Sequence, residues 1–171
     1  MFKPIAALLL LSLSGCGFQP MYAGQGTDSS LDGASVRSEQ AAIFIDEIPN
    51  REGQLLRRVL LNRLTPAGEP VNPHYRLSVS LSNATISEQG VRKDNLATRY
   101  EMSYTGKYTL TSYPDGEKLL SGSTGARASY DVQKSPYASH AAEEAMKDRV
   151  MRILGDDIAL RLATYLKSAK K

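Results

Sequence analysis

Residues able to do chemistry are few in this chain: one cysteine, Cys16, and two histidines, His74 and His140. Hydrolysis by a serine or thiol nucleophile needs a base within hydrogen-bond reach, and imidazole is the usual one near neutral pH. Neither histidine sits in a catalytic motif, the serines form no Gly-x-Ser-x-Gly elbow, and no cluster of His, Cys and Asp has metal-ligand spacing. The chain therefore reads as a non-enzyme without a metal or a diffusible cofactor. Tyr100, Tyr104 and Tyr108 recur at every fourth position of a strand-like run and could stack on sugar or base rings. They share a face with Met102 and Leu110, which favours core packing. Arg92 and Lys93 pair two cations in a loop, where they could meet phosphate groups or simply solvate the chain. Arg57, Arg58 and Arg63, and Lys167, Lys170 and Lys171, read as solvated charge.

Cys16 has the most specific surroundings. Lys3 supplies a positive charge, an apolar run extends from Ile5 to Leu13, and Ser14-Gly15 stand just before the thiol. A helix crossing the hydrocarbon needs about 20 apolar residues, so this run reads as a removable export signal over residues 1–15 rather than an anchor. The quartet Leu13-Ser14-Gly15-Cys16 resembles the lipobox of bacterial lipoproteins. That likeness implies a covalent S-diacylglycerol and an N-acyl chain such as palmitate on Cys16. At about 0.8 kcal/mol per buried methylene, two or three chains anchor stably where one is marginal.

Without residues 1–15 the 171-residue chain keeps 156, a single domain by size, and loss of Lys3 lowers the formal charge from +3 to +2. This balance argues against a nucleic-acid partner. With no second cysteine the fold has no disulfide, although an exported chain could form one, so its apolar core must suffice.

Residues 16–40, rich in Gly, Ser, Asp, Thr and Gln, read as a lipidated N-terminus and flexible tether. About 20 such residues reach roughly 25 Å. A single α+β domain is expected over residues 41–168. Ala42 to Ile48 form a short strand, Asn50 is an expected N-cap, and Leu55, Leu56, Val59, Leu60 and Leu64 recur at helical spacing up to Thr65-Pro66-Ala67-Gly68. Tyr75, Leu77, Val79 and Leu81 alternate with polar residues, and the phase then shifts to Ala84 and Ile86, as a bulge in one long strand would cause. A third strand carries Tyr100, Met102, Tyr104, Gly106, Tyr108 and Leu110 on one face. The turn Tyr113-Pro114-Asp115-Gly116 leads into a fourth strand running to about Tyr130.

After Ser135-Pro136, an apolar stripe of Ala142, Met146, Val150, Ile153, Leu154, Ile158, Leu162, Tyr165 and Leu166 marks a long last helix. At 1.5 Å per residue some 30 residues span roughly 45 Å, about the length of a 14-residue strand, so this helix can cover a whole sheet. The expected architecture is a two-layer α+β sandwich in the order β-α-β-β-β-α, with two helices on one face of a four-stranded mixed sheet. The other face is mostly Ser and Thr with scattered Arg, Lys and Glu.

The lipobox followed by Gly17-Phe18-Gln19-Pro20-Met21-Tyr22, and Ser129-Tyr130-Asp131-Val132 followed by Ser135-Pro136-Tyr137-Ala138 and Ala142-Glu143, resemble the LptE family of LPS-assembly lipoproteins in its alphaproteobacterial form. The resemblance implies a non-enzymatic outer-membrane lipoprotein, facing the periplasm and seated in the lumen of the LptD β-barrel, which assists barrel assembly and lipopolysaccharide delivery. Gly17 agrees with outer-membrane sorting. A barrel lumen is polar, and the Ser/Thr face suits it. Ser103, Thr105 and Ser121 on that face, with Arg92 and Lys93, are the expected contacts to barrel or lipopolysaccharide. The alternative is a free periplasm-facing lipoprotein acting as a scaffold or ligand-binding module.

Overall fold

In a computed structural model, residues 30–91, 97–132 and 135–169 are described. The chain divides into two units, residues 1–31 and 32–171, and of the first only Ser30 and Leu31 are described. The elements are α1 (Ser30–Ala41), β1 (Ile43–Ile45), α2 (Asn50–Leu64), β2 (Tyr75–Leu81), β3 (Thr85–Val91), β4 (Ala97–Ser112), β5 (Lys118–Asp131) and α3 (Pro136–Ala169). The signal at residues 1–15, Cys16, most of the tether, and Arg92 and Lys93 lie outside the described residues.

Strand β4 organises the sheet. β5 pairs antiparallel along one side of it, β2 and β3 pair antiparallel along the other, and β1 lies parallel to β2, which makes the sheet mixed. The expected long second strand is therefore two, giving five strands rather than four. Leu81 stands opposite Gly106 and Thr85 opposite Ser103, so three residues, Ser82 to Ala84, face two, Tyr104 and Thr105. That extra residue is the bulge implied by the phase shift. The Ser82 amide donates to the Thr105 carbonyl at 2.8 Å, and the Thr105 amide donates to the Ser82 hydroxyl at 2.9 Å, which keeps both halves on one edge of β4.

Two further departures concern the first helices. The stretch expected as tether is helical from Ser30; at its end the Tyr75 hydroxyl donates to Glu39 at 3.0 Å, tying α1 to β2. Asn50 is the first residue of α2, at φ +70°, and no side chain caps that end. The Gln54 side-chain amide, one turn on, donates instead to the Ile48 carbonyl at 2.8 Å.

Helices α2 and α3 pack on one sheet face, and the core lies between. Leu56, Leu60 and Leu64 of α2, and Met146, Val150, Leu154, Ile158, Leu162 and Leu166 of α3, close over Leu77, Met102, Tyr104, Tyr108 and Leu110. The apolar residues of α3 follow the expected stripe with one exception. Ile153 is exposed, whereas Met151 and Gly155 are buried. Gly155 marks the crossing of the two helices: a Cβ built on it would lie 2.5 Å from Val59 Cγ1 and 3.2 Å from Val59 Cβ. A glycine here sacrifices helix propensity for a close crossing. On the sheet side, a Cβ on Gly106 would meet Leu154 and Ile158 at ordinary distances of 3.5 and 3.7 Å, so α3 rides directly over the middle of β4.

A polar clamp holds α3 to β5. The Asp157 carboxylate accepts from the Thr124 hydroxyl, a close contact, and from Arg161 Nε at 2.8 Å. The Thr124 hydrogen bond, followed by the Arg161 hydrogen bond and charge, holds the Asp157 carboxyl below its ordinary range against the opposing effect of burial.

Gly155→Ala gains about 1 kcal/mol of helix propensity but overpacks the crossing by about 1–3 kcal/mol, so a net destabilisation in urea unfolding is expected. Adding Val59→Ala should recover part of the loss, making the pair non-additive; a stabilising Gly155→Ala would contradict the close crossing. For Asp157→Asn the sign follows from a depressed native pKa. The carboxylate's contribution is present above its unfolded value near 4 and fades as pH falls through the native one. The variant should lose about 1 kcal/mol at neutral pH, the low end for a partly wet charged hydrogen bond. In thermal unfolding followed against pH, its gap from the parent should close in acid; a constant gap would contradict the clamp.

Candidate functional site

The sheet face turned away from the helices is a continuous polar surface that runs across β2, β3, β4 and β5. Because strand side chains alternate, the ladder puts Ser103, Thr105, Lys107 and Thr109 of β4 on this side, opposite Arg127, Gly125, Ser123 and Ser121 of β5. Ser103, Thr105 and Ser121 therefore do share one surface; Thr105 and Ser121 are exposed and Ser103 is half-buried. On the other edge of β4, Arg76, Ser78 and Ser80 extend the surface along β2, and Thr85, Ser87 and Gln89 along β3. Phe44, paired opposite Arg76 and half-buried, is its apolar member from β1.

Charges on this face are arranged in cross-strand pairs. Arg99 stands directly opposite Asp131 and donates to it at 2.8 Å; Arg127 lies diagonally across from Glu101 at 3.9 Å. The Arg99 hydrogen bond and positive charge hold the Asp131 carboxyl below the usual carboxylate range, and Asp131 raises the guanidinium in return. Arg76 donates to Asp46 at 2.8 Å, and the Ser78 hydroxyl donates to the same carboxylate. Pairs this wet add little stability, but they fix long side chains in place and leave a field of alternating sign. Lys107, in the middle, has no ion-pair partner among the described residues. Such a face can exchange hydrogen bonds with another polar surface over its whole extent; it offers no concentrated charge for one small ligand.

His74 sits where the chain enters β2, edge-on to Tyr75, with its amide donating to the Ala42 carbonyl at 2.9 Å. His140 is exposed in the early turns of α3, which follows the far end of β5. No group of three metal-ligating side chains occurs among the described residues. Tyr104 and Tyr108 are buried under α3, and burial raises the Tyr104 hydroxyl above its ordinary pKa, as core packing requires. Tyr100 is half-buried and stacks on Tyr130, ring centres 5.7 Å apart.

Asp46 was not singled out by sequence, yet it holds two members of the face. Its position depends on the parallel pairing of β1 with β2, and no single-sequence pattern carries that register. Ile86 shows the reverse. The alternation puts it on the helix side, where it pairs with Met102, but it is 56% exposed because β3 extends past the helical cover.

The comparisons agree with this architecture. The chain superposes on a candidate lipoprotein of Caulobacter crescentus CB15 with a TM-score of 0.63 and 28% identity, covering 78% of this chain and 96% of the other. Rare lipoprotein B of Shewanella oneidensis matches at 0.56 and 16% identity over 75% and 97% of the two chains. A minor lipoprotein of Acinetobacter baumannii matches at 0.54 and 16% identity over 72% and 92%. At 16% identity the likeness is one of fold. No curated protein gives a significant match. Residues 40–162 match the family described as LptE, lipopolysaccharide-assembly, a span that takes in every described strand, all of α2 and α3 as far as Leu162, and the chain belongs to that family.

Proposed function

We propose that this protein is an outer-membrane lipoprotein that plugs the lumen of the LptD β-barrel, assists its assembly and takes part in delivering lipopolysaccharide to the outer leaflet. Residues 1–15 are its removed signal, and acyl chains on Cys16 are its anchor on the periplasmic side. Membership of the lipopolysaccharide-assembly family supports the process. Among the described residues no helix is long and apolar enough to cross a membrane.

The observation that carries the barrel contact is the uncovered sheet face. A sheet with one bare face normally turns it to water, and the lumen of an outer-membrane barrel is lined by polar groups that present much the same environment. Hydroxyls that both donate and accept, interspersed with paired charges, can meet such a wall without burying an unsatisfied group. Ser103, Thr105 and Ser121 lie at the centre of this contact. Arg92 and Lys93, between β3 and β4, are assigned to barrel or lipopolysaccharide phosphates on charge alone. In this role the protein acts by occupying space and holding a surface, with no reaction catalysed.

Photo-crosslinking residues placed singly at Ser103, Thr105 and Ser121 in growing cells should capture one very large β-barrel protein. Detergent extraction and affinity purification should recover the same protein at equal stoichiometry. Purification without such a partner would favour a free scaffold or ligand-binding lipoprotein. Copurification without capture at the three positions would keep the partner and remove this orientation.

A further inference from the structure

The two lateral edges of the sheet differ in kind. One lateral edge is divided between β1, three residues, and β3, seven; the other is β5, fourteen residues, Lys118–Asp131, which pairs only with β4. A long unpaired edge is a template for a further strand, and proteins that keep one closed place prolines, bulges or inward charges along it. β5 has no proline, and its helix-side residues Leu120, Gly122, Thr124, Ala126, Ala128 and Tyr130 are all uncharged. The one register irregularity falls at its start, opposite Leu110 and Thr111.

Helix α3 overhangs this edge. Asp157, held by Arg161, meets Thr124 of β5, and beside them Ile153 and Leu160, seven residues apart and so on one side of the helix, are 44% and 65% exposed. A groove of about 550 Å³ runs between Leu120 and Gly122 below and Leu160, Thr164 and Tyr165 above. Leu120 and Leu160 are apolar members of its lining, and Ile153 lies on the same side of α3 ahead of Leu160.

Charge points to the occupant. Of the acids nearby, Asp156 pairs with Arg63, Asp157 with Arg161 and Asp131 with Arg99, which leaves Glu117, exposed beside Lys118, as the acid of this edge in no ion pair among the described residues. Lys118 at the start of β5, and Arg149 and Lys167, which continue the helical stripe of Ile153 and Leu160, have no ion-pair partner among the described residues. We propose that the β5 edge and the overhanging flank of α3 accept an extended acidic strand from a partner polypeptide, which pairs with β5 as a sixth strand. Main-chain hydrogen bonds to the edge supply affinity, apolar residues turned toward α3 cover Ile153 and Leu160, and acidic residues meet the three cations. A second copy fits poorly, because pairing β5 with β5 brings two cationic flanks together. The site is separate from the polar sheet face and does not depend on the barrel contact.

The probe is a fluorescein-labelled ten-residue peptide alternating valine and glutamate, titrated into the full chain in detergent, with a valine-lysine peptide and a proline-interrupted valine-glutamate peptide as controls. The acidic peptide should bind and slow amide exchange between residues 119 and 130 but not in β1 or β3, the other unpaired edges. Leu160→Asp, at an exposed position that leaves the core intact, should weaken it about tenfold, as should Arg149→Glu with Lys167→Glu. The interrupted peptide, lacking a central donor, should bind at least as poorly. Unchanged exchange in β5 at saturating peptide, equal binding of the valine-lysine peptide, or concentration-dependent self-association that protects β5 without peptide would each overturn the proposal.

Discussion

A single 34-residue helix lying along one side of a sheet determines most of what this molecule presents to its surroundings. The stripe of α3 from Met146 to Leu166 can be buried only against a surface equally long, and β4 with β5 provides it. Once that burial is satisfied on one side, the period of two along each strand sends Ser103, Thr105, Lys107 and Thr109 to the other. The bare face is thus a consequence of the packing, and its hydroxyls and paired charges are what keep it compatible with water or a polar wall.

The placement of α3 is set by close approach as much as by greasy area. Gly155 lets α2 come against it, Leu154 and Ile158 rest over Gly106 of β4, and Asp157 clamps it to Thr124. Those contacts leave β3 beyond its cover and the outer edge of β5 open beneath its flank. This member of the lipopolysaccharide-assembly family thereby presents two open surfaces among its described residues, one broad and polar, one narrow and edge-like.

Much of this architecture was legible because local chemistry and tertiary packing agree. The alternation of β4, the turn at Tyr113 to Gly116, the start of α3 at Pro136 and the burial of Tyr104 and Tyr108 all follow from patterns a single chain carries. The phase shift at Ala84 correctly marked a bulge, but whether the ladder survives it depends on the Ser82 hydroxyl reaching Thr105, a contact between distant residues. The helix at Ser30–Ala41 was hidden because its composition resembles a linker and its tie to Tyr75 is tertiary. Ile153 fits the apolar stripe by spacing, yet the drift of the stripe along α3 turns it outward. Of the surface, the shared face of Ser103, Thr105 and Ser121 could be read from parity alone; the charge pairing of Arg99 with Asp131 needed the register.

A polar face that meets a barrel wall is bare in the isolated chain and covered in the cell. Single cysteines at Lys107 and Ser123, which pair across β4 and β5 in the middle of that face, allow maleimide labelling rates to be compared between purified chain and intact envelopes. Rapid labelling of the purified chain with protection in envelopes, set against an unchanged rate at exposed Arg58 on α2, is the predicted result. Equal rates at Lys107 and Ser123 in both settings would contradict it.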